Sequence, residues 1–280
     1  MIKKAKEKYK KNGVSLLLIL PYLLFCILFL VLPMISIIIH SFDSGIGGWA
    51  AVLKNSTYLK SLRGSLLLAL WTTAESSLLG AMLALFWANK LSRHGWFMAF
   101  INFGANNGGI SLAFSFIALM GANGMLTIIL KRFGIELYPG FQLASLMGLH
   151  WAYLSFLIPF MCMIFLPAVG CVRKEWFAAA RTLGAGKFQY ARKVAGPVLL
   201  PSFLSSATLV FLQSLGTYAT AQAITDNRIN LITLQIGYLI QMSVFNRSDA
   251  NVLSIILLAA MAFTVFIYRA ANQKAARWAG

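Results

Sequence analysis

One carboxylate sits deep inside an apolar stretch: Glu75, in LWTTAESSLLG. An acidic side chain at the centre of a bilayer costs about 3 kcal/mol on insertion scales, so Glu75 must face protein or water rather than lipid. Two uses fit it. It could line a path for a cation, or it could be a structural group hydrogen-bonded to Thr72, Ser76 or a polar side chain of a neighbouring helix. Gln213, Thr217 and Tyr218 are candidates to line the same path, although polar side chains also serve simply to tie membrane helices together. The other reactive residue types lack the spacing that chemistry needs. His40, His94 and His150 form no i, i+4 pair, which leaves them without a metal or catalytic reading. Cys26, Cys162 and Cys171 show no metal-ligand spacing and read as small hydrophobes.

A second stretch, GAGK at 184–187, has the look of a phosphate-binding fragment. A P-loop needs G-x-x-x-x-G-K-[ST] between a strand and a helix, so that backbone amides cradle phosphate and a hydroxyl reaches magnesium. Here Arg181 stands where the first glycine belongs, and Phe188 follows Lys187 in place of Ser or Thr. No nucleotide site is expected, and no cofactor or metal.

The elements that must position these residues are membrane helices. The chain is 59% hydrophobic and only 11% charged, against about 25% charged for a soluble domain. Runs long enough to cross a bilayer, about 20 residues each, recur near 15–40, 62–88, 97–120, 141–169, 198–222 and 251–268. The expected fold is therefore an all-α integral membrane protein with about six transmembrane helices, forming one domain over 1–280. The segment 229–244 is apolar but short and broken by Gln235, Gly237 and Gln241, so it reads as a re-entrant or packed helix rather than a seventh span. Asn106, Asn107, Gly108 and Gly109 point to close packing or an irregularity near the start of the third span. Pro21, Pro33, Pro159 and Pro167 fall within spans, where neighbouring groups can satisfy the freed carbonyls.

A net charge of +17 does not indicate nucleic acid, because the basic residues fall in short segments between apolar runs. The segments 1–12, 90–93, 170–197 and 269–280 together hold 17 of the 24 Lys and Arg residues, and the opposite side holds 7. The positive-inside rule then places both termini and the 170–197 loop in the cytoplasm of a multi-pass cell-membrane protein. The N-terminal apolar run is too long for a signal peptide and reads as a retained first span. Asp226, Arg228, Arg247 and Asp249 fall outside, in a stretch read as a solvated loop or, alternatively, as a contact for an external protein or a gate at the outer mouth.

The loop itself, EWFAAARTLGAGKFQYARKV at 175–194, reads as a helix–turn–helix element. Glu175 to Leu183 are strong helix formers, Gly184 and Gly186 permit a sharp turn with positive φ, a second short helix runs through Arg192, and Pro197 marks the start of the next span. Ala178, Ala179 and Ala180 leave room for another backbone to approach. Arg181, Lys187, Arg192 and Lys193 can engage carboxylates, carbonyls or lipid phosphates. An ordinary basic cytoplasmic loop would look similar on composition alone.

The spacing in this loop resembles the signature of permease subunits of binding-protein-dependent ABC importers: E-A-A, three residues, Gly, nine residues, I-x-L-P. Ala179, Ala180, Gly184 and Pro197 match, Val194 is a conservative stand-in, Ala178 replaces the glutamate with Glu175 one turn earlier, and Gly196 replaces the leucine. The resemblance implies a cytoplasmic coupling helix between the fourth and fifth spans that docks on a separate ATP-binding subunit, two copies per complex. Ala179, Ala180, Arg181, Gly184 and Lys187 are the docking residues it singles out. It also implies a second permease subunit, expected to be a related but different protein, and an external solute-binding protein. The chain itself would be a transport subunit and not an enzyme. GANGMLT at 121–127 and LGTYATAQAIT at 215–225 resemble elements of permeases for polyamines, ferric iron and similar small solutes, which favours a small charged solute over a sugar. An ATP-independent secondary transporter would usually show internal repeats and more intramembrane charge. A membrane enzyme would need a clustered nucleophile, base or metal set, and a channel would not need the glycine-hinged loop.

Overall fold

The computed structural model describes residues 19–88, 95–242 and 247–276. The basic N-terminus 1–12, the Lys90–Arg93 pair and the end of the 269–280 tail lie outside these residues. Among the described residues every regular element is helical. Six helices are long and apolar enough to cross a membrane: Ile19–His40, Ser56–Phe86, Ile110–Arg132, Leu146–Gly170, Lys187–Gly216 and Arg247–Ala270. The chain is a multi-pass, all-α membrane protein.

In chain order the helices are α1 (Ile19–His40), α2 (Gly45–Lys54), α3 (Ser56–Phe86), α4 (Gly95–Asn106), α5 (Ile110–Met120), α6 (Met125–Arg132), α7 (Leu146–Gly170), α8 (Lys174–Thr182), α9 (Lys187–Gly216), α10 (Ala219–Thr225), α11 (Ile232–Met242) and α12 (Arg247–Ala276). The centre of the bundle is the α3–α7 pair, against which α4 and α9 pack. The inner face of α3 carries small residues at helical spacing, Ser61, Ser65, Ala69, Thr72, Ser76, Gly80 and Ala84, all buried. Lipid supplies no hydrophobic drive between helices, so association depends on close van der Waals approach and small side chains allow it. Gly80 marks the tightest point: a Cβ there would lie 2.6 Å from the Met161 Cβ and 2.7 Å from the Ile158 carbonyl oxygen on α7. The α7 face supplies the bulk, with Tyr153, Leu157 and Met161 fully buried.

The third span differs from the expected continuous 97–120. It is broken at Asn107–Gly109 into α4 and α5, because Gly109 takes φ +76°, ψ −145°, a conformation open to glycine and not to an L side chain. The apolar stretch then continues through a turn at 121–124 into α6, so GANGMLT lies within the Ile110–Arg132 candidate span rather than beyond it. The fifth span also breaks, at Thr217–Tyr218, between α9 and α10. The two breaks meet: the Gly109 N–H donates to Thr220 Oγ1 (2.9 Å), and that hydroxyl donates to the Gly109 carbonyl (3.1 Å). The Thr220 side chain thus satisfies the Gly109 N–H, which the broken helix would leave unpaired in an apolar setting, and adds a second donor to a carbonyl that the Ala113 N–H already reaches.

Helix α9 begins earlier than expected. No separate short helix ends at Arg192; the chain runs helically from Lys187 to Gly216 with a π-turn at Ala191–Ala195. Pro197 is the reason. It offers no N–H to the carbonyl four residues back, and the wider turn, closed by Gly196 N–H on the Ala191 carbonyl, takes up the misfit. The same device precedes Pro33 in α1, where Leu32 N–H reaches the Ile27 carbonyl.

The described part of the 222–250 stretch, 222–242 and 247–250, is more ordered than a solvated loop. Within it α11 packs on α12 and α3, burying Leu231, Ile232 and Leu234. With 11 residues it is too short to span, in keeping with six crossings.

Candidate translocation and coupling sites

Glu75 does not bond to Thr72 or Ser76. Those hydroxyls turn to backbone carbonyls of α3, and Thr72 Oγ1 meets Ser214 Oγ of α9 at 2.8 Å. Instead both Glu75 oxygens have other partners. Trp71 Nε1–H, one turn earlier on α3, donates to Oε1, and His150 Nε2 on α7 lies 3.0 Å from Oε2. The His150 side chain is 3% exposed and that of Glu75 40%. The Trp71 and His150 rings also pack, with centroids 4.3 Å apart. His150, given no role from its spacing, is therefore, among the described residues, the histidine brought to the intramembrane carboxylate. Its partner is 75 residues away, so no local pattern could have revealed it.

Glu75 lines a cavity of about 470 Å³ with Leu79, Phe116, Met120, Trp151, Leu154, Ser155 and Ile158. The other three path candidates lie elsewhere. Tyr218, at the α9–α10 break, lines a separate cavity of about 480 Å³ with residues of α11 and α12, where its hydroxyl accepts from Gln241 Nε2 (3.3 Å) and its ring lies against Gly237. The Thr217 carbonyl accepts from the buried Tyr153 hydroxyl (3.1 Å) and the Thr217 hydroxyl donates to the Gln213 carbonyl, so these residues mark the α9–α10 break. Gln213 itself is exposed. Glu75 and Tyr218 line different cavities.

At the other end, the 170–197 loop forms α8, a turn, and the start of α9. Of the two glycines only Gly184 uses positive φ (+81°), directly after α8. Gly186 is extended, φ −74°, and precedes the first turn of α9. The Ala185 N–H returns to the Ala180 carbonyl and the Gly184 N–H to Arg181, which closes the helix end. Ala179, Arg181, Gly184 and Lys187 are exposed, and Ala180 is half-buried. The sequence reading missed two neighbours, Leu183 at 88% exposed and Phe188 at 79%. Two large apolar side chains flanking a glycine turn in a polar loop were the available signal. Inward, Phe177 of α8 meets Tyr190 of α9 edge-on at 5.1 Å, and a cavity of about 1030 Å³, lined in part by Arg173 and Glu175, separates α8 from the ends of α3, α7 and α9.

No family model matches the chain. Among curated proteins it is 29% identical over 160 residues to the spermidine/putrescine transport system permease PotB of Haemophilus influenzae, covering 55% of this chain and 54% of that protein. It is 22% identical over 240 residues to PotC of Escherichia coli, covering 82% and 84%. Against the sulfate transport system permease CysT of Salmonella typhimurium it is 29% identical over 162 residues, with 54% of that protein covered. The chain is a homologue of ABC-importer permease subunits. The match spans about half the length of PotB and of CysT and most of PotC. In fold, this permease homologue superimposes on a subunit of a bacterial ABC transporter that imports alginate, with TM-score 0.76 over 97% of this chain and 99% of that one at 15% identity. A chain of the MetNI methionine ABC transporter gives TM-score 0.55 over 79% and 99% at 19% identity. The six-helix arrangement thus extends over nearly the whole chain.

Proposed function

We propose that this permease homologue is a transmembrane subunit of a binding-protein-dependent ABC importer and supplies half of the translocation path for a small charged solute. The observation that carries the proposal is the 170–197 loop: α8, the Gly184 turn and the start of α9 lie between the fourth and fifth candidate spans with Leu183 and Phe188 bare. Two ATP-binding subunits would each take such a loop into a cleft, with Arg181 and Lys187 on its rim and Ala179 and Ala180 giving close backbone approach. Closure on ATP would carry α8 with it. Through the Phe177–Tyr190 contact and the Gly184 turn, that motion would enter α9, which packs on both α3 and α7. The chain has no nucleotide site of its own in this scheme. A second, related permease would face it across the path, an external binding protein would deliver the solute, and both termini would be cytoplasmic. The small charged solute is favoured by the likeness to PotB, PotC and CysT and by the carboxylate on the wall of the α3–α5–α7 cavity.

The test is co-purification with an ATP-binding subunit together with uptake into proteoliposomes. Gly184→Asp puts a side chain at φ +81° and a negative charge beside Arg181, and should abolish uptake while the protein still inserts. Uptake that persists without any ATP-binding subunit would overturn the proposal.

A further inference from the structure

The cavity of about 1030 Å³ beside α8 lies where the ends of three candidate spans meet. Leu85 and Ala88 line it from the end of α3 and just past it, Val169 from the end of α7, and Leu199 from the start of α9. The local sequence makes the space. The π-turn that Pro197 imposes puts Ala191 and Ala195 on the wall, and Gly170 adds no side chain of its own. Residues with little or no side chain thus stand where longer ones would fill the cavity. Phe177 of α8 and Tyr190 of α9, edge-on at 5.1 Å, complete the largely apolar wall.

Two charged side chains line the same cavity, Arg173 just before α8 and Glu175 in its first turn. They are opposite in sign, two positions apart, and both exposed. Among the described residues neither takes part in an ion pair. The other lining residues carry no charge, so the site presents one guanidinium and one carboxylate beside an apolar hollow. That combination selects a ligand. A guanidinium binds phosphate through two parallel N–H···O bonds, a carboxylate accepts from an ammonium N–H, and the hollow takes hydrocarbon. A phosphatidylcholine headgroup has no ammonium N–H to donate. Phosphatidylglycerol has no cation to offer Glu175 and would leave the two negative groups side by side. A soluble zwitterion would leave the apolar wall against water. Trp176, exposed on α8, belongs to a residue type enriched where membrane meets water.

We infer that this cavity seats one phospholipid with a phosphoethanolamine headgroup, its phosphate on Arg173, its ammonium on Glu175 and an acyl chain between the ends of α3, α7 and α9. A lipid held there joins α8 to the bundle across a gap that the protein's own side chains leave open. The site itself needs only the membrane fold; any effect of the lipid on the motion of α8 rests on the permease reading.

The test uses the purified full-length protein in lipid nanodiscs, with a phosphatidylethanolamine that carries a photoactivatable diazirine in its acyl chain. After irradiation the adduct should map to peptides holding residues 85–88, 169–173 or 191–199. Unlabelled phosphatidylethanolamine should compete at least about threefold better than phosphatidylcholine or phosphatidylglycerol, the size expected of an exposed charge contact. Glu175→Gln should bring phosphatidylethanolamine and phosphatidylcholine to parity, and Arg173→Gln should weaken labelling about threefold. Ala195→Leu fills the hollow with another good helix former and should remove the adduct. If Ala195→Leu does not insert, Ala191→Leu makes the same test. Equal competition by the three lipids in wild type, or an adduct that survives filling of the hollow, would overturn the inference. So would the absence of an adduct at these peptides, as when an accompanying protein fills the cavity, or competition by soluble glycerophosphoethanolamine as strong as by the whole lipid. Failure to find an ATP-binding partner would overturn the permease reading alone and leave the labelling result standing.

Discussion

The α3–α7 interface and the α8 loop sit on the same chain and are built to opposite ends. At Gly80 the helices are so close that a methyl group has no room, and His150 is sealed from both lipid and water. Helix α8, by contrast, is held off the bundle by a cavity of about 1030 Å³ and meets Tyr190 of α9 through Phe177, while Leu183 in the turn and Phe188 at the start of α9 are almost completely exposed. The first region is completed by its own chain. The second has an apolar tip in a polar setting, the kind of surface that marks an interaction site. The contrast separates what holds the fold from what is proposed to meet a partner.

The sharpest way to break the comparison is to overfill the tight side. Gly80→Leu would drive a branched side chain into Met161 and the Ile158 carbonyl, costing about 3 kcal/mol or more, and should show as a collapse in folded yield and melting temperature. The open side should answer differently. Replacing Leu183 and Phe188 together by serine should leave thermal stability within about 0.5 kcal/mol, because neither residue packs on the bundle. It should weaken association with the ATP-binding subunit at least about tenfold, read by co-purification or titration. A stability loss equal to that of Gly80→Leu would erase the distinction. The smallest effect belongs to the Thr72–Ser214 contact between α3 and α9. A double-mutant cycle of Thr72→Val and Ser214→Ala should give a coupling of about 0.6 kcal/mol, the usual size for hydrogen bonds between membrane helices.

The helical breaks show how far local pattern carries and where it stops. Asn106–Gly109 read as close packing or an irregularity, with packing preferred, and the structure instead places a break there through the positive φ of Gly109. The break after Gly216 has no comparable signature in LGTYAT, and what fixes it is non-local: the Thr217 carbonyl is claimed by Tyr153, and Thr220 reaches across to Gly109. Likewise Pro197 announced a boundary, yet a π-turn absorbed it and the helix ran on from Lys187. A proline removes one hydrogen bond, and whether a helix ends there depends on how the neighbouring turns adjust.

What the sequence determined by itself is the membrane class, the number of crossings, the position of the polar loop and the presence of one carboxylate where lipid would not tolerate it. These follow from composition and run length, which the bilayer reads directly through the cost of burying each residue. Only the tertiary structure decided that Glu75 pairs with Trp71 and His150, that Tyr218 lines a different cavity, and that Leu183 and Phe188 stand bare. Those outcomes depend on which faces of distant helices meet, and that is set by small-residue packing along α3 and α7 rather than by anything a local window of sequence contains.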